Sequence, residues 1–275
     1  MGKRQKPARD WSRELEVVRE AIWEAGQEIL KRFKTPVAIR YKGVDNPVTE
    51  ADLQSNEILK SKILSHFPND GWLSEETKDN RDRLKKERVW IVDPMDGTKE
   101  FAQGIPEFAI SVALTYMREP VVACVHNPAT DEMFTAVAGQ GAYKNGVSVR
   151  ADRVMGDRPL VLASRSEVAR GEWDRFKSLF RVRPVGSIAY KMALVAGGEA
   201  DITFSLGTKN EWDVAAGVLL VEEAGGRVFD SEQKRLQFNK SQTLVSGVIA
   251  ATMEAWSFIT RWLQSGQLKE RAASC

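Results

Sequence analysis

Residues Trp90–Phe101 read WIVDPMDGTKEF. An apolar trio rises to Asp93, and Pro94 then holds φ at about −65°, which suits a turn just after a strand. A second acid, Asp96, follows before Gly97 and Thr98. Such a turn aims Asp93, the Met95 carbonyl and Asp96 toward one point. Gly97 and Thr98 offer backbone N–H groups where a short helix, TKEF, begins. Oxygen ligands and an anion-binding turn would then be neighbours. An Asp-Pro-x-Asp-Gly turn also serves purely backbone purposes, so this stretch carries chemistry only in the company of other groups.

Two further acidic ends supply that company. LSEET places Glu75 and Glu76 at the end of an expected strand, where a solvated pair is the plain account. EWDVAAG places Asp213 in the first turn of an apolar helix, where an N-cap role serves equally well. Three acidic strand or helix ends, each beside small or apolar residues, are harder to explain as surface.

Outward from these ends, Leu15, Val18, Ala21, Ile22, Ala25, Ile29, Leu30 and Phe33 recur at helical spacing between Trp11 and Phe33. A second helix starts after the turn residues of KGVDNPVTEAD, with Thr49 as N-cap and Leu53, Ile58, Leu59 and Ile63 as its buried face. Strands are expected at GWLSE, VWIVD, FAISVALTYM and PVVACVHNPAT, the last two antiparallel across the REP turn. A further pair, MFTAVAGQ and GAYKNGVSV, carries an Asn145-Gly146 turn. The charge run ETKDNRDRLKKER between the first two strands predicts a solvated loop or frayed helix. After Ala151, PLVLASRS, RVRPVGS, AYKMALVAGGEA, DITFSL, DVAAGVLLVEEAGG, GRVFD and TLVSGVIAA alternate strand with helix before a C-terminal amphipathic helix, MEAWSFITRWLQ. An α+β part over residues 1–150 and an α/β part over 151–275 follow, packed together without a flexible linker and with a site between them.

Composition narrows the function. With 43% hydrophobic and 28% charged residues over 275, the chain can bury a sizeable core. Forty Lys and Arg against 38 Asp and Glu leave a formal charge of +2. That is too little to draw the whole molecule to nucleic acid or membrane, so any anion recognition is local. No apolar run reaches the roughly 20 residues a bilayer span needs. Two cysteines and no secretory leader make the cytoplasm the default location. His66, His126, Cys124 and Cys275 lack the spacing of a zinc site, so a metal here would have oxygen ligands.

VTEADLQSNEIL, LSEE, WIVDPMDGTKEF and EWDVAAGVLLVEEAGG together resemble the four ordered motifs of the inositol monophosphatase superfamily, Mg-dependent and lithium-sensitive phosphatases. Within it, DPMDGTKEF with SEE most resembles the CysQ-type 3′(2′),5′-bisphosphate nucleotidases, whereas inositol monophosphatases tend to carry DGTTNF. The resemblance runs from about Val48 to about Gly226. It implies a layered αβαβα sandwich and two or more Mg²⁺ per active site. Glu75, Asp93 and the Met95 carbonyl would hold one ion, and Asp93 would bridge to a second held by Asp96 and Asp213. Gly97 and Thr98 would receive the phosphate, and Asp52 with the Thr98 hydroxyl would orient and deprotonate the attacking water. Met95 stands where Leu or Ile is common, with little consequence if only its carbonyl is a ligand. Arg165 in ASRS and Ser187 and Lys191 in VGSIAYK lie where the nucleotidases line their nucleotide pocket. For each of these three a surface or helix-face role is equally open, and Tyr190 is more often core than a base-stacking ring.

The substrate so implied is a small phosphate ester, a nucleotide such as 3′-phosphoadenosine 5′-phosphate yielding AMP, with inositol 1-phosphate or another sugar phosphate as the alternative. Phosphate monoesters hydrolyse very slowly unaided, and two divalent ions about 3.5–4 Å apart can neutralise both attacking and leaving oxygens. Other phosphatase designs do not fit: Thr130 stands six residues after Cys124 where a cysteine-loop enzyme needs arginine, and the acids are spaced Asp-x-x-Asp rather than Asp-x-Asp. A catalytically silent cation-binding module would have lost Asp52, Thr98 or a metal acid, and all are present. A homodimer is compatible with the sequence, but nothing in it requires one.

Overall fold

The computed structural model describes residues 9–35, 38–43 and 46–264. Val44 and Asp45 of the expected turn, and Cys275, lie outside them.

The chain begins with α1 (Ser12–Leu30), a small hairpin of β1 (Arg40–Gly43) and β2 (Asn46–Val48), and α2 (Glu50–His66). A seven-stranded sheet follows in the order β3 (Gly71–Ser74), β4 (Arg88–Asp96), β5 (Ala109–Tyr116), β6 (Glu119–Asn127), β7 (Glu132–Val137), β8 (Ala142–Lys144) and β9 (Val147–Val149). Only β3 and β4 run parallel; the rest is an antiparallel meander, with α3 (Thr98–Ala102) between β4 and β5. The second sheet has five strands: β10 (Leu160–Ser164), β11 (Arg181–Val185), β12 (Ile202–Ser205), β14 (Arg227–Phe229) and β16 (Val248–Ala251), ordered β11-β10-β12-β16-β14. α4 (Arg165–Ala169), α5 (Ile188–Ala196), α6 (Glu211–Glu223) and α7 (Met253–Gln264) connect or cover these strands, and a short ribbon pairs β13 (Lys209–Asn210) with β15 (Leu244–Val245).

Strand alternation builds the layers, because successive side chains leave opposite faces. Trp90, Val92, Ile110, Val112 and Leu114 face α1 and α2 together with Val18, Ile22, Leu59 and Ile63. Their neighbours Val89, Ile91, Ala109 and Ala113 face the other way, onto α5 and α6 and the inner face of the second sheet at Leu162, Val228, Val248 and Ala250. The outer face of that sheet, Val161, Ala163, Ile202, Phe204 and Ile249, closes against Trp173, Phe176, Phe180 and the Ala255, Ile259 and Trp262 side of α7. The result is the expected αβαβα sandwich. The central helices are buried on nearly all sides, which is why they read as almost continuous apolar runs.

Three expectations need correction. Leu53 is 37% exposed, because α2 buries Ala51, Asp52, Ser55 and Asn56 instead. The N-terminal half of its inward face is polar, through Asp52, Ser55 and Asn56, and the C-terminal half is apolar, through Leu59 and Ile63. TLVSGVIAA is two strands split at Ser246-Gly247, not one. The charge run is not wholly solvated: it contains a 3₁₀ turn, Asp82–Lys85, and Arg83 within it is buried.

Candidate active site

β3 and β4 pair in parallel with Ser74 opposite Val92, and the Glu75 N–H donates to the Val92 carbonyl at 3.2 Å. Glu75 and Asp93 therefore emerge together at one end of the sheet. In a regular strand residues three apart face opposite sides. Between Asp93 and Asp96, however, the pairing with β5 shifts: Asp93 lies opposite Ser111 and Asp96 opposite Ala109. This irregularity at Pro94-Met95 re-aims the later acid. The Met95 N–H donates to Asp93 Oδ1 at 3.0 Å, and Ser55 of α2 donates to the Pro94 carbonyl at 2.8 Å, pinning the bulge.

Gly97 follows at φ +98°, a conformation open to glycine, and a Cβ there would meet the Glu107 carbonyl at 2.9 Å. α3 then starts at Thr98, so the first N–H groups of that helix have no intrahelical partner. The Thr98 hydroxyl lies 2.8 Å from Asp52 Oδ1 and 3.1 Å from the Met95 carbonyl. Asp52 is the N3 residue of a capping box: its Oδ2 accepts from both the N–H and the hydroxyl of Thr49, each at 2.7 Å. Burial pushes its carboxyl up to about 6, against the lowering effect of the Thr49 and Thr98 hydrogen bonds. A carboxylate held near neutrality beside a hydroxyl suits proton transfer.

Asp213 arrives from the other sheet's side, at N3 of α6, where its Oδ2 accepts from the Asn210 N–H at 2.9 Å. Asp96 Oδ2 is taken by the Ser187 hydroxyl and the Ala189 N–H, both at 2.7 Å, at the start of α5. Burial, then the charges of Glu75, Asp96 and Asp213, hold the Asp93 carboxyl well above the usual carboxylate range. Burial, then Asp96, raises Asp213 to about 8. Asp93 and Asp213 thus sit in a field, set up by burial and by their acidic neighbours, that disfavours their charged forms.

Among the described residues no three such side chains are already gathered into a ready-made cation site. Asp96 and Asp213 each give one oxygen to a helix start and keep the other. The donor set fits a hard cation nonetheless: it is all oxygen, anionic, and self-repelling until a positive charge joins it.

These acids line one cavity of about 610 Å³, bounded by both sheets' loops. Glu75, Asp93, Met95, Asp96, Gly97, Thr98, Ser187, Lys191 and Asp213 all reach it. Arg165 is not among its lining residues; it pairs with Glu107 at 2.5 Å while its neighbours Ser164 and Ser166 face the cavity. Tyr190 is core: its hydroxyl meets Glu132 on the far side of α5. The cavity also takes in Glu100, Trp212 and Lys209, which the sequence reading passed over. Trp212 and Lys209 flank the acidic end of α6, and their nearness to Asp213 was the available signal.

The inositol monophosphatase family profile matches residues 10–267. Inositol monophosphatase 2 of Solanum lycopersicum is 36% identical over 232 residues, which is 78% of this chain and 86% of that protein. The Thermotoga maritima IMPase structure superposes with a TM-score of 0.81 at 27% identity, covering 94% of this chain and 99% of that one. CysQ from Bacteroides thetaiotaomicron gives 0.72 at 28% identity, covering 88% and 98%. The five-layer sandwich is therefore that of these phosphatases, and the chain belongs to the inositol monophosphatase family.

Proposed function

We propose that this protein is a Mg²⁺-dependent phosphatase whose preferred substrate carries a second phosphate, of the kind of 3′-phosphoadenosine 5′-phosphate, from which it releases the 3′-phosphate. Glu75, Asp93, Asp96, Asp213 and the Met95 carbonyl would hold the ions, which when bound neutralise charge on the phosphoryl oxygens and favour ionisation of the attacking water. The protein's own residues do the rest. Gly97 and Thr98 N–H groups orient the phosphate at the start of α3. The Thr98 hydroxyl, donating to Asp52, accepts from the attacking water, and Asp52 takes up the proton that is displaced along this line. Thr49 and Asp52 are buried, which keeps bulk water from the Asp52 end of this line, while half-buried Thr98 faces the cavity.

The observation that carries the choice of substrate is Lys191. It lines the cavity while only 5% exposed, and a buried ammonium there suits a second anionic group better than a neutral hydroxyl. Burial lowers its basicity to about 8, partly offset by Asp96. Cations that take up the charge of Asp96 would leave Glu167 and Glu100 as the acids near Lys191 and free its ammonium to meet a second phosphate in the cavity. Lys209 lines the same wall, and Trp212 presents a partly exposed ring beside it. A second reading, an inositol or other sugar monophosphatase, is favoured by the names of relatives such as the tomato enzyme.

Phosphate release from 3′-phosphoadenosine 5′-phosphate and inositol 1-phosphate, measured in parallel, separates the two. The expected result is a higher kcat/KM for the nucleotide. Lys191→Met should then raise its KM roughly 10- to 100-fold, the worth of a charge-assisted hydrogen bond, and leave inositol 1-phosphate unaffected. A much higher kcat/KM for inositol 1-phosphate would overturn the nucleotide reading and leave the metal site standing.

A further inference from the structure

The segment between β3 and β4 carries one cation that is not at the surface. Arg83 is 2% exposed, and all three of its guanidinium nitrogens donate hydrogen bonds. Nη2 and Nε donate to Asp79 at 2.8 and 3.2 Å, Nη1 donates to Asn239 Oδ1 at 2.7 Å, and Nη2 also reaches the Lys240 carbonyl at 3.0 Å. Asn239 returns its Nδ2–H to the Arg83 carbonyl at 3.2 Å. The N–H groups of Asn239 and Lys240 in turn both donate to the carboxylate of Glu211, at 2.7 and 3.0 Å. Glu211 has no exposed surface and is the first residue of α6. Its own N–H donates to Thr243 at 2.8 Å, and β13 pairs with β15 just beside it. The loop 239–245 grips the start of α6, and Arg83 grips the loop.

A device of this kind answers a need of the site. Glu75, Asp93 and Asp96 come from adjoining strands of one sheet, but Asp213 comes from a helix on another layer. Any charge that these acids carry repels Asp213 and works against the start of α6 staying beside them. The small apolar residues along α6, Ala215, Ala216 and Gly217, set its depth without fixing its position along the sheet, since apolar burial is non-directional. Bonds from a guanidinium to two acceptors on the gripping loop are directional. We infer that Arg83 is a positioning residue: through Asn239 and Glu211 it fixes Asp213 relative to Glu75 and Asp93. This rests on the reading of those acids as metal ligands. Mg²⁺ tolerates little departure from octahedral geometry, so a displaced Asp213 would be felt first in Mg²⁺ affinity.

Arg83→Lys and Asn239→Ala test it, with Glu211→Gln as a milder variant that keeps its shape and one acceptor. The probe is Mg²⁺ itself, titrated calorimetrically and by the rise it causes in Tm, alongside the Mg²⁺ concentration for half-maximal phosphate release. The expected result is Mg²⁺ affinity about tenfold weaker, a smaller Mg²⁺-induced rise in Tm, and kcat recovered at saturating Mg²⁺. A purely structural role would lower the metal-free Tm and leave calorimetric Mg²⁺ affinity unchanged in every variant that folds; that outcome overturns the inference. Asp213→Asn serves as control. If it abolishes Mg²⁺ binding while the Arg83-line variants bind normally, only the positioning role fails. If it binds Mg²⁺ like the wild type, the metal reading fails and the positioning role with it.

Discussion

Replacing Asp52 by Asn should make the protein more stable and much less active at once. In the folded protein the carboxyl titrates at about 6 against an ordinary value of 3.8, mainly because it is buried. Ionising it in place therefore costs about two pK units, or about 3 kcal/mol. The sign follows from the raised value: the folded state binds this proton more tightly, so wild-type stability falls as pH rises from about 4 to about 6 and carries the full cost above that. Asn carries none of it. The amide also fits: its oxygen can accept from the N–H and hydroxyl of Thr49, while its N–H₂ faces Thr98, whose hydroxyl can turn to the Met95 carbonyl 3.1 Å away. Losing a charged acceptor gives back about 1 kcal/mol. Denaturant unfolding of the metal-free protein should thus show Asp52→Asn about 2 kcal/mol more stable at pH 7.5, with the advantage vanishing near pH 4. Turnover should fall by about 10²–10⁴, the usual share of a general base. Stability gain that is the same at pH 4 and pH 7.5, or activity within threefold of wild type, would refute the reasoning.

Asp213→Asn should abolish Mg²⁺-dependent turnover and the Mg²⁺-induced rise in Tm while leaving the metal-free protein folded and no less stable, because one of four mutually repelling acids is gone; a preserved Mg²⁺-induced shift counts against its role. Gly186→Ala should cost about 1–3 kcal/mol, since the new Cβ would sit 2.5 Å from the Glu107 carbonyl and also against Glu100 Cγ, and backbone there cannot yield. A Tm unchanged within a degree would show that the junction between β11 and α5 is looser than its contacts imply. The Lys191→Met and Arg83→Lys outcomes complete the set.

The acids were legible because chemistry constrains them locally. WIVDPMDGT carries its turn and both its carboxylates within a few residues, and Thr49 marks the start of α2, whereas the capping box that Asp52 closes there became visible only in the structure. VWIVD and FAISVALTYM were legible as strands, but they are nearly continuous apolar runs, so which residues face which layer was decided by tertiary packing. Arg165 and Arg83 were not legible, and for a common reason. Each stands in a run of charged or polar residues, and what each does depends on a partner far along the chain: Glu107 for Arg165, Asn239 for Arg83. Local composition says that a charge prefers water; only tertiary packing can supply the acceptors that let one go without it. So it is with Lys191, one apolar-helix residue among others in sequence. The sequence by itself set out the acidic strand and helix ends, because periodicity and turn geometry act over a few residues, and it was the resemblance of the four ordered motifs that gave those acids their expected roles. The tertiary structure decided which of them meet, because the distance between α6 and β4 is set by two sheets and the loops that join them.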